Sequence, residues 1–290
     1  MASQFEKIVD TPIDYEMLYV GEWKQNLLLA DRYGDGRVFL AGDSAHLVIP
    51  TGGLGMNTGV GDAIDLSWKL AAVLQGWGGP KLLSSYEVER RQVGDRNIGA
   101  SRYASLGRRK WRSQWAPGFS DDTAQGSSLR ENLARVADVE QRKTNEMIGA
   151  ELGYRYVDSP LIWDEPGGPE QSFRIYDPAP WTGVRLPHIW VKPGVSIQDL
   201  IGRTYALLRM GKHAQDLDPI VKAFREIGAP ITVLDFPHDR YRDLYGANHL
   251  LVRPDLHIAW RSDTLPDDPR QLAALTTGYP VQNMARYHAA

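Results

Sequence analysis

The 290 residues contain no cysteine. Disulfides, thiolate zinc sites, iron–sulfur clusters and thiol redox cycling are therefore excluded, and any redox chemistry needs a borrowed cofactor. No run approaches the roughly 18 apolar residues of a membrane span, and the start Met-Ala-Ser-Gln-Phe-Glu-Lys carries no apolar signal core. The expected location is cytoplasmic. Charge of one sign is also lacking: a formal net charge of −3 offers neither nucleic acid nor an anionic membrane a basic face. The nine tryptophans are scattered rather than interleaved with lysine and arginine, which argues against a base-stacking platform. His249 and His257 fit none of the usual metal-ligand spacings, so no metal site is expected. Small molecules remain as ligands.

What is present reads first as strand, glycine loop and helix. Arg37-Val-Phe-Leu-Ala41 is a short apolar run stopped by Gly42-Asp43, which predicts a buried strand ending in a turn. Half of the residues from Gly52 to Gly61 are glycine. Asp62 to Leu74 then turns helical, with Ile64, Leu70, Val73 and Leu74 spaced for burial. Gly76-Trp-Gly-Gly-Pro80 breaks that helix. Lys81 to about Arg112 predicts one or two amphipathic helices, and Leu129 to Leu152 a last one with Leu133, Val136, Val139, Met147 and Ile148 mostly on one stripe. Prolines and glycines crowd the stretch from Pro160 to Pro180 and mark a boundary. Beyond it, Tyr205 to Arg209 and Ile231 to Asp235 read as strands and His213 to Ile227 as a helix. Leu250 to Val252 and His257 to Trp260 read as a hairpin about Arg253-Pro-Asp-Leu256, and Pro269 to Thr277 as a closing helix. The order β-α-β-β-β-α is near that of a small thioredoxin-like domain.

The chemistry concentrates in residues 42–57. Asp43 falls at the carboxyl end of a strand, where α/β sheets present groups to ligands, and a carboxylate there can accept hydrogen bonds from sugar hydroxyls. Pro50 to Asn57 brings bare backbone close to something flat or anionic, and the helix start at Thr58 to Asp62 adds the positive end of a dipole. His46 is a candidate base because histidine titrates near neutrality. A loop histidine is more often a structural hydrogen-bonder, however, and it is assigned no catalysis. Arg90 and Arg91, after Glu87 and Glu89, read as a solvated ion-pair face of a helix rather than a phosphate site.

Gly42-Asp-Ser-Ala-His46 and then Pro50-x-Gly-Gly-x-Gly-Met-Asn57-x-Gly-x-x-Asp62-Ala-x-x-Leu-x-Trp-Lys-Leu70 resemble the second flavin motif of class A FAD-dependent aromatic-ring monooxygenases. Tyr86-Glu-x-Glu-Arg90 follows at that family's spacing. The resemblance implies that Asp43, with Gly42, binds the ribityl hydroxyls of FAD and that Pro50 lies beside the reactive edge of the isoalloxazine. It also implies that the backbone at Gly53, Leu54, Gly55, Met56 and Asn57 meets the pyrimidine edge, where the helix dipole favours the reduced, anionic flavin. Gly153-Tyr-Arg-Tyr156, Trp181 to His188, Asp199-Leu-Ile-Gly202 and Leu251 to Arg261 resemble the cysteine-free thioredoxin-like domain of the phenol and polyketide hydroxylase branch. In that branch Arg185 and His188 lie in a segment that packs this domain onto the FAD domain.

The implied fold class is α/β. Residues 1–152 would be the C-terminal part of a glutathione-reductase-type Rossmann FAD-binding domain lacking its N-terminal half, with a helical segment, and 153–285 a thioredoxin-like domain. The Gly-x-Gly-x-x-Gly turn that holds the FAD pyrophosphate in that family occurs nowhere in the sequence. The first forty residues read as the tail of the substrate sheet, ending in Trp23 and a strand over Asn26 to Ala30. The implied enzyme hydroxylates a phenolic or polyketide ring with FAD, NAD(P)H and O2 through a flavin C4a-hydroperoxide. It is expected here as an incomplete chain: truncated, degenerate, or split from a partner chain that supplies the missing FAD-binding half. The rival expectation is a non-catalytic interaction module that pairs with a separate flavin-binding chain.

Overall fold

The computed structural model describes residues 2–9, 11, 13–212 and 215–280. His213 and Ala214, at the expected start of one helix, and 281–285, at the expected end of the second domain, lie outside the described residues. A short helix α1 (Ala2–Val9) leads to an exposed stretch, 13–26, without regular structure. The strand expected over Asn26 to Ala30 shortens to β1 (Leu28–Leu29), and the one expected over 37–41 is the second arm of a small hairpin, β2 (Gly34–Asp35) with β3 (Val38–Phe39). Apolar runs go inside only where a second layer covers them; Leu28 and Val38 face solvent. A single 3-10 turn (Gly42–Ser44) follows, and β4 (His46–Leu47) then pairs antiparallel with β1.

The helical layer comprises α2 (Leu54–Leu74), α3 (Pro80–Arg112), α4 (Ala124–Asn145) and α5 (Ile148–Leu152). Pro80 starts α3 where its missing N–H is harmless. The single helix expected from Leu129 to Leu152 is two, because Glu146 leaves helical geometry at φ −103°, ψ 77°. Met147 then enters a small core with Leu54, Ala100 and Ala150. The inner face of α2 also differs from expectation. Leu54, Thr58, Asp62, Asp65, Lys69 and Ala72, three and four apart, are buried, while Ile64, Val73 and Leu74 are exposed. Apolar periodicity points to the wrong face because the buried side chains are largely polar.

From Gly153 to Ile189 the chain forms only isolated bridges, as its proline and glycine content predicts. A hairpin, β5 (Trp190–Lys192) with β6 (Val195–Ser196), and α6 (Ile197–Leu200) precede the main sheet. That region contains β7 (Tyr205–Met210), α7 (Asp218–Ile227), β8 (Ile231–Phe236), α8 (Asp239–Tyr245), β9 (His249–Val252), β10 (Ile258–Ser262) and α9 (Pro269–Thr277). Helix α8 was not expected; its charged, seven-residue sequence carries little apolar signal. The sheet order is β10-β9-β7-β8, with β7 and β8 parallel and the other pairs antiparallel.

Alternation along β7 divides the core between the two faces of the sheet. Tyr205 and Leu207 join Ile220 and Phe224 of α7, Leu272 of α9, and Trp68, Ala72, Trp77 and Leu82 of the helical layer. Ala206, Leu208 and Met210 face Tyr241 and Tyr245 of α8 with Val184 and Ile197. The first cluster thus spans both parts of the chain. A backbone clasp reinforces it: Gly79 N–H donates to the Thr277 carbonyl at 2.8 Å and Lys81 N–H to that of Gly278 at 2.9 Å. A Cβ on Gly79 would lie 2.4 Å from the Gly278 carbonyl carbon, so only glycine fits.

Candidate functional site

The Gly42–Ser44 turn lies against the flank of α2, and two glycines make the approach possible. Gly42 has φ +62°, and a Cβ on Gly59 would sit 3.1 Å from the Gly42 Cα. The glycines at 55, 59 and 61 therefore belong to a helix that begins already at Leu54, and two of them serve close packing rather than a loop. Asp43 projects from the turn and is exposed; its carboxylate takes no hydrogen bond from the described residues.

The N-cap of α2 is Gly53, which offers no capping side chain. The amides of Leu54, Gly55 and Met56, the first residues of the helix, have no partner within it and are open to an outside acceptor, at the positive end of the helix dipole. The Asn57 side chain donates back to the Gly53 carbonyl at 2.9 Å and satisfies none of them. Pro50, Gly53, Met56 and Asn57 are exposed, Gly55 is half-buried, and Leu54 turns its side chain into the core. These residues make an open surface with one carboxylate acceptor and several bare amide donors. That donor set suits a polyhydroxylated chain joined to a ring edge bearing carbonyl and ring-nitrogen acceptors, the chemistry of FAD.

Behind this surface lies a buried polar network that the sequence reading missed. Glu89 and Arg90, expected on a solvated face, are 0% and 1% exposed. The Lys69 ammonium donates to Asp65 at 2.7 Å and to Glu89 at 2.6 Å. Arg253, at the tip of the β9–β10 hairpin, donates to Glu89 at 2.5 and 2.9 Å, to Asp255 at 2.5 and 3.1 Å, and to Asp65 at 3.1 Å. The Asp65, Glu89 and Asp255 oxygens lie within 4.8 Å of one another, as in a metal site, but Lys69 and Arg253 fill that space. Three carboxylates share two cations here. Burial pushes the Asp65 carboxyl up to about 8 against the pull of Lys69 and Arg253, with Glu89 adding to the rise. Burial acts the same way on Glu89 and Asp255, but Arg253 outweighs it and holds both below the usual carboxylate range, helped by Lys69 and His257 respectively. A sequence signal existed: Asp62, Asp65 and Lys69 fall on one helical face.

The remaining candidates have structural roles. His46 Nε2 lies 2.7 Å from Asp62 Oδ2, both buried, which agrees with the structural reading of that histidine. Glu87 accepts from the Tyr33 N–H at 2.8 Å, and Arg91 donates to the Ala30 carbonyl at 3.1 Å. Arg185 bonds Gln198 and bridges to His257, while His188 packs edge-on against Trp190. Arg253 ties the C-terminal region to the helical layer through Asp65 and Glu89. His249 is buried against Trp260, and burial lowers its pKa. No helix among the described residues is long and apolar enough to cross a membrane.

Comparison with known proteins shows what the chain is similar to. Residues 3–101 match the FAD binding domain family and residues 179–279 the aromatic-ring hydroxylase C-terminal family. The chain is 31% identical to the FAD-dependent monooxygenase apdD of Emericella nidulans, covering 94% of this chain and 46% of that protein. It is 35% identical to 4-methyl-5-nitrocatechol 5-monooxygenase of a Burkholderia species, covering 91% and 47%. Among solved structures, the rebeccamycin biosynthetic enzyme RebC with reduced flavin superimposes with a TM-score of 0.86 at 35% identity, over 96% of this chain and 52% of that one. The chain is thus a relative of the FAD-dependent aromatic-ring monooxygenases, carries their FAD-binding and C-terminal family matches in order, and spans about half the length of the relatives it matches.

Proposed function

We propose that this chain supplies one wall of the flavin site in an FAD- and NAD(P)H-dependent hydroxylase of phenolic or polyketide aromatic rings. The observation that carries the reading is the exposed Asp43 carboxylate beside an uncapped helix start, within the residues that match an FAD-binding family. Asp43 and the Gly42 turn would accept and orient the ribityl hydroxyls, and Pro50 would pack at the edge of the ring. The backbone from Gly53 to Asn57 would lie at the pyrimidine edge, where the open amides of Leu54, Gly55 and Met56 would donate to it and favour negative charge on it. Bound FAD would supply electron transfer from NAD(P)H and activation of O2. No side chain of this chain is assigned as a general base.

Exposed Met56, Val60 and Ile64, one helical stripe of α2, together with Leu28 and Val38, support a further layer of FAD-binding structure over this face, in the same polypeptide or a partner chain. Residues 1–152 then read as part of the FAD-binding domain and 153–285 as a cysteine-free thioredoxin-like domain, which the strand order β10-β9-β7-β8 with its one parallel pair supports. The comparisons do not favour a non-catalytic module. The test is titration of the purified protein with FAD, followed by flavin absorbance near roughly 370 and 450 nm. Asp43→Ala should weaken binding about ten- to a hundredfold, the loss of hydrogen bonds to a charged acceptor. Equal affinity in the variant would overturn the assignment.

A further inference from the structure

We propose that Asp62 and Arg90 are positioning residues through which the C-terminal hairpin fixes Asp43 and the start of α2 relative to each other. The inference rests on the reading of Asp43 as a flavin contact. Asp62 is fully buried, and its two oxygens have separate tasks. Oδ2 accepts the Gly42 N–H at 3.0 Å and lies 2.7 Å from His46 Nε2, so one atom holds the backbone before Asp43 and a side chain after it. Oδ1 accepts from Arg90 Nε at 2.8 Å. Asp43 takes no bond of its own from the described residues, and its direction is therefore set by this anchored turn.

Arg90 reaches the other half of the surface as well. Its Nη2 donates to the Thr58 carbonyl at 3.1 Å. The Thr58 hydroxyl in turn donates to the Leu54 carbonyl and accepts from Asn97, both at 2.7 Å. One guanidinium thus joins the Asp43 turn to the first turns of α2. Its slot is cut by a glycine: a Cβ on Gly61 would lie 2.6 Å from Nη2. The third arm, Nη1, is 3.1 Å from the Tyr156 hydroxyl. The Tyr156 ring stacks on His257 at 4.3 Å and lies 5.4 Å from the Arg253 guanidinium carbon. Contacts therefore run without a gap from the β9–β10 hairpin through Tyr156, Arg90 and Asp62 to the amide next to Asp43, over side chains that are all at least nine-tenths buried.

Two substitutions test this. Asp62→Asn keeps the shape but leaves one acceptor oxygen for two obligate donors, the Gly42 N–H and the Arg90 Nε–H, so the bond to the Gly42 turn and the bond to Arg90 cannot both persist. Tyr156→Phe removes one hydroxyl and touches neither the turn nor α2. In the full chain without FAD, both should speed amide exchange at Gly42, Asp62→Asn by about tenfold or more and Tyr156→Phe by less, while amides of β7 exchange as in the parent. Both should weaken FAD binding and alter the visible circular dichroism of the bound flavin, and the double variant should lose less than the sum of the two. Unchanged Gly42 exchange in Tyr156→Phe, or strictly additive effects, would overturn the relay even if Asp62→Asn fails to fold. If Gly42 exchange responds while Asp43→Asn leaves FAD affinity unaltered, the relay exists and the flavin role of Asp43 fails instead.

Discussion

Replacing Arg253 with methionine keeps most of the side-chain length and apolar volume, so the electrostatic change dominates. The guanidinium is 0% exposed and donates to Glu89, Asp255 and Asp65 at 2.5 to 3.1 Å. After its removal Lys69 is, among the described residues, the one permanent cation left beside three carboxylates, with His257 next to Asp255. Removing one partner of a buried ion pair costs about 3–5 kcal/mol, and a loss in that range is expected at neutral pH. Glu89 and Asp255 are held low chiefly by Arg253, so their pKa values rise in the variant. The folded variant then binds more protons than the folded parent, and the deficit in stability shrinks as the pH falls from about 8 to about 5. Urea unfolding followed by tryptophan fluorescence measures this well, since Trp68 lies 5.2 Å from the guanidinium carbon. A loss below about 1 kcal/mol at pH 7, or the same loss at both ends of that pH range, would refute the account of the network.

Two further outcomes are expected. In the parent, the raised Asp65 pKa means that its contribution to stability is complete below the unfolded value of 3.8 and is lost as the pH rises through about 8; Asp65→Asn should flatten that decline, and an unchanged slope in denaturant titrations would count against a raised Asp65 pKa. Gly79→Ala should cost about 1–3 kcal/mol by overpacking against Gly278, whereas Gly202→Ala, which meets nothing within 4 Å, should stay within about 0.5 kcal/mol. Equal melting temperatures for the two variants would contradict the clasp.

The sequence announces its C-terminal strands well and its helical layer poorly, for a physical reason. Apart from Arg209, Tyr205 to Met210 and Leu250 to Val252 are apolar and buried on both faces of a covered sheet, so hydrophobicity and position coincide. In α2 they separate: Asp62, Asp65 and Lys69 are inside, and Ile64, Val73 and Leu74 are outside. The partners that permit this burial, Glu89 and Arg253, stand 20 and 188 residues away from the groups they meet, beyond any local pattern. The candidate surface itself was legible because Asp43 and the bare amides depend on a short turn and a helix start, both encoded within the stretch from Gly42 to Asn57. Its support was not, since Tyr156 and Arg90 show their roles only once the hairpin is folded beside them.

The hairpin-tip arginine also limits how genes for such chains can be reshuffled. A crossover that exchanged everything beyond the proline-rich stretch would have to deliver a cation to the same point in space, or leave Asp65 and Glu89 competing for one lysine. Grafting a foreign C-terminal region therefore needs this cation as well as a matching core and clasp, and the two parts of the chain are expected to descend together.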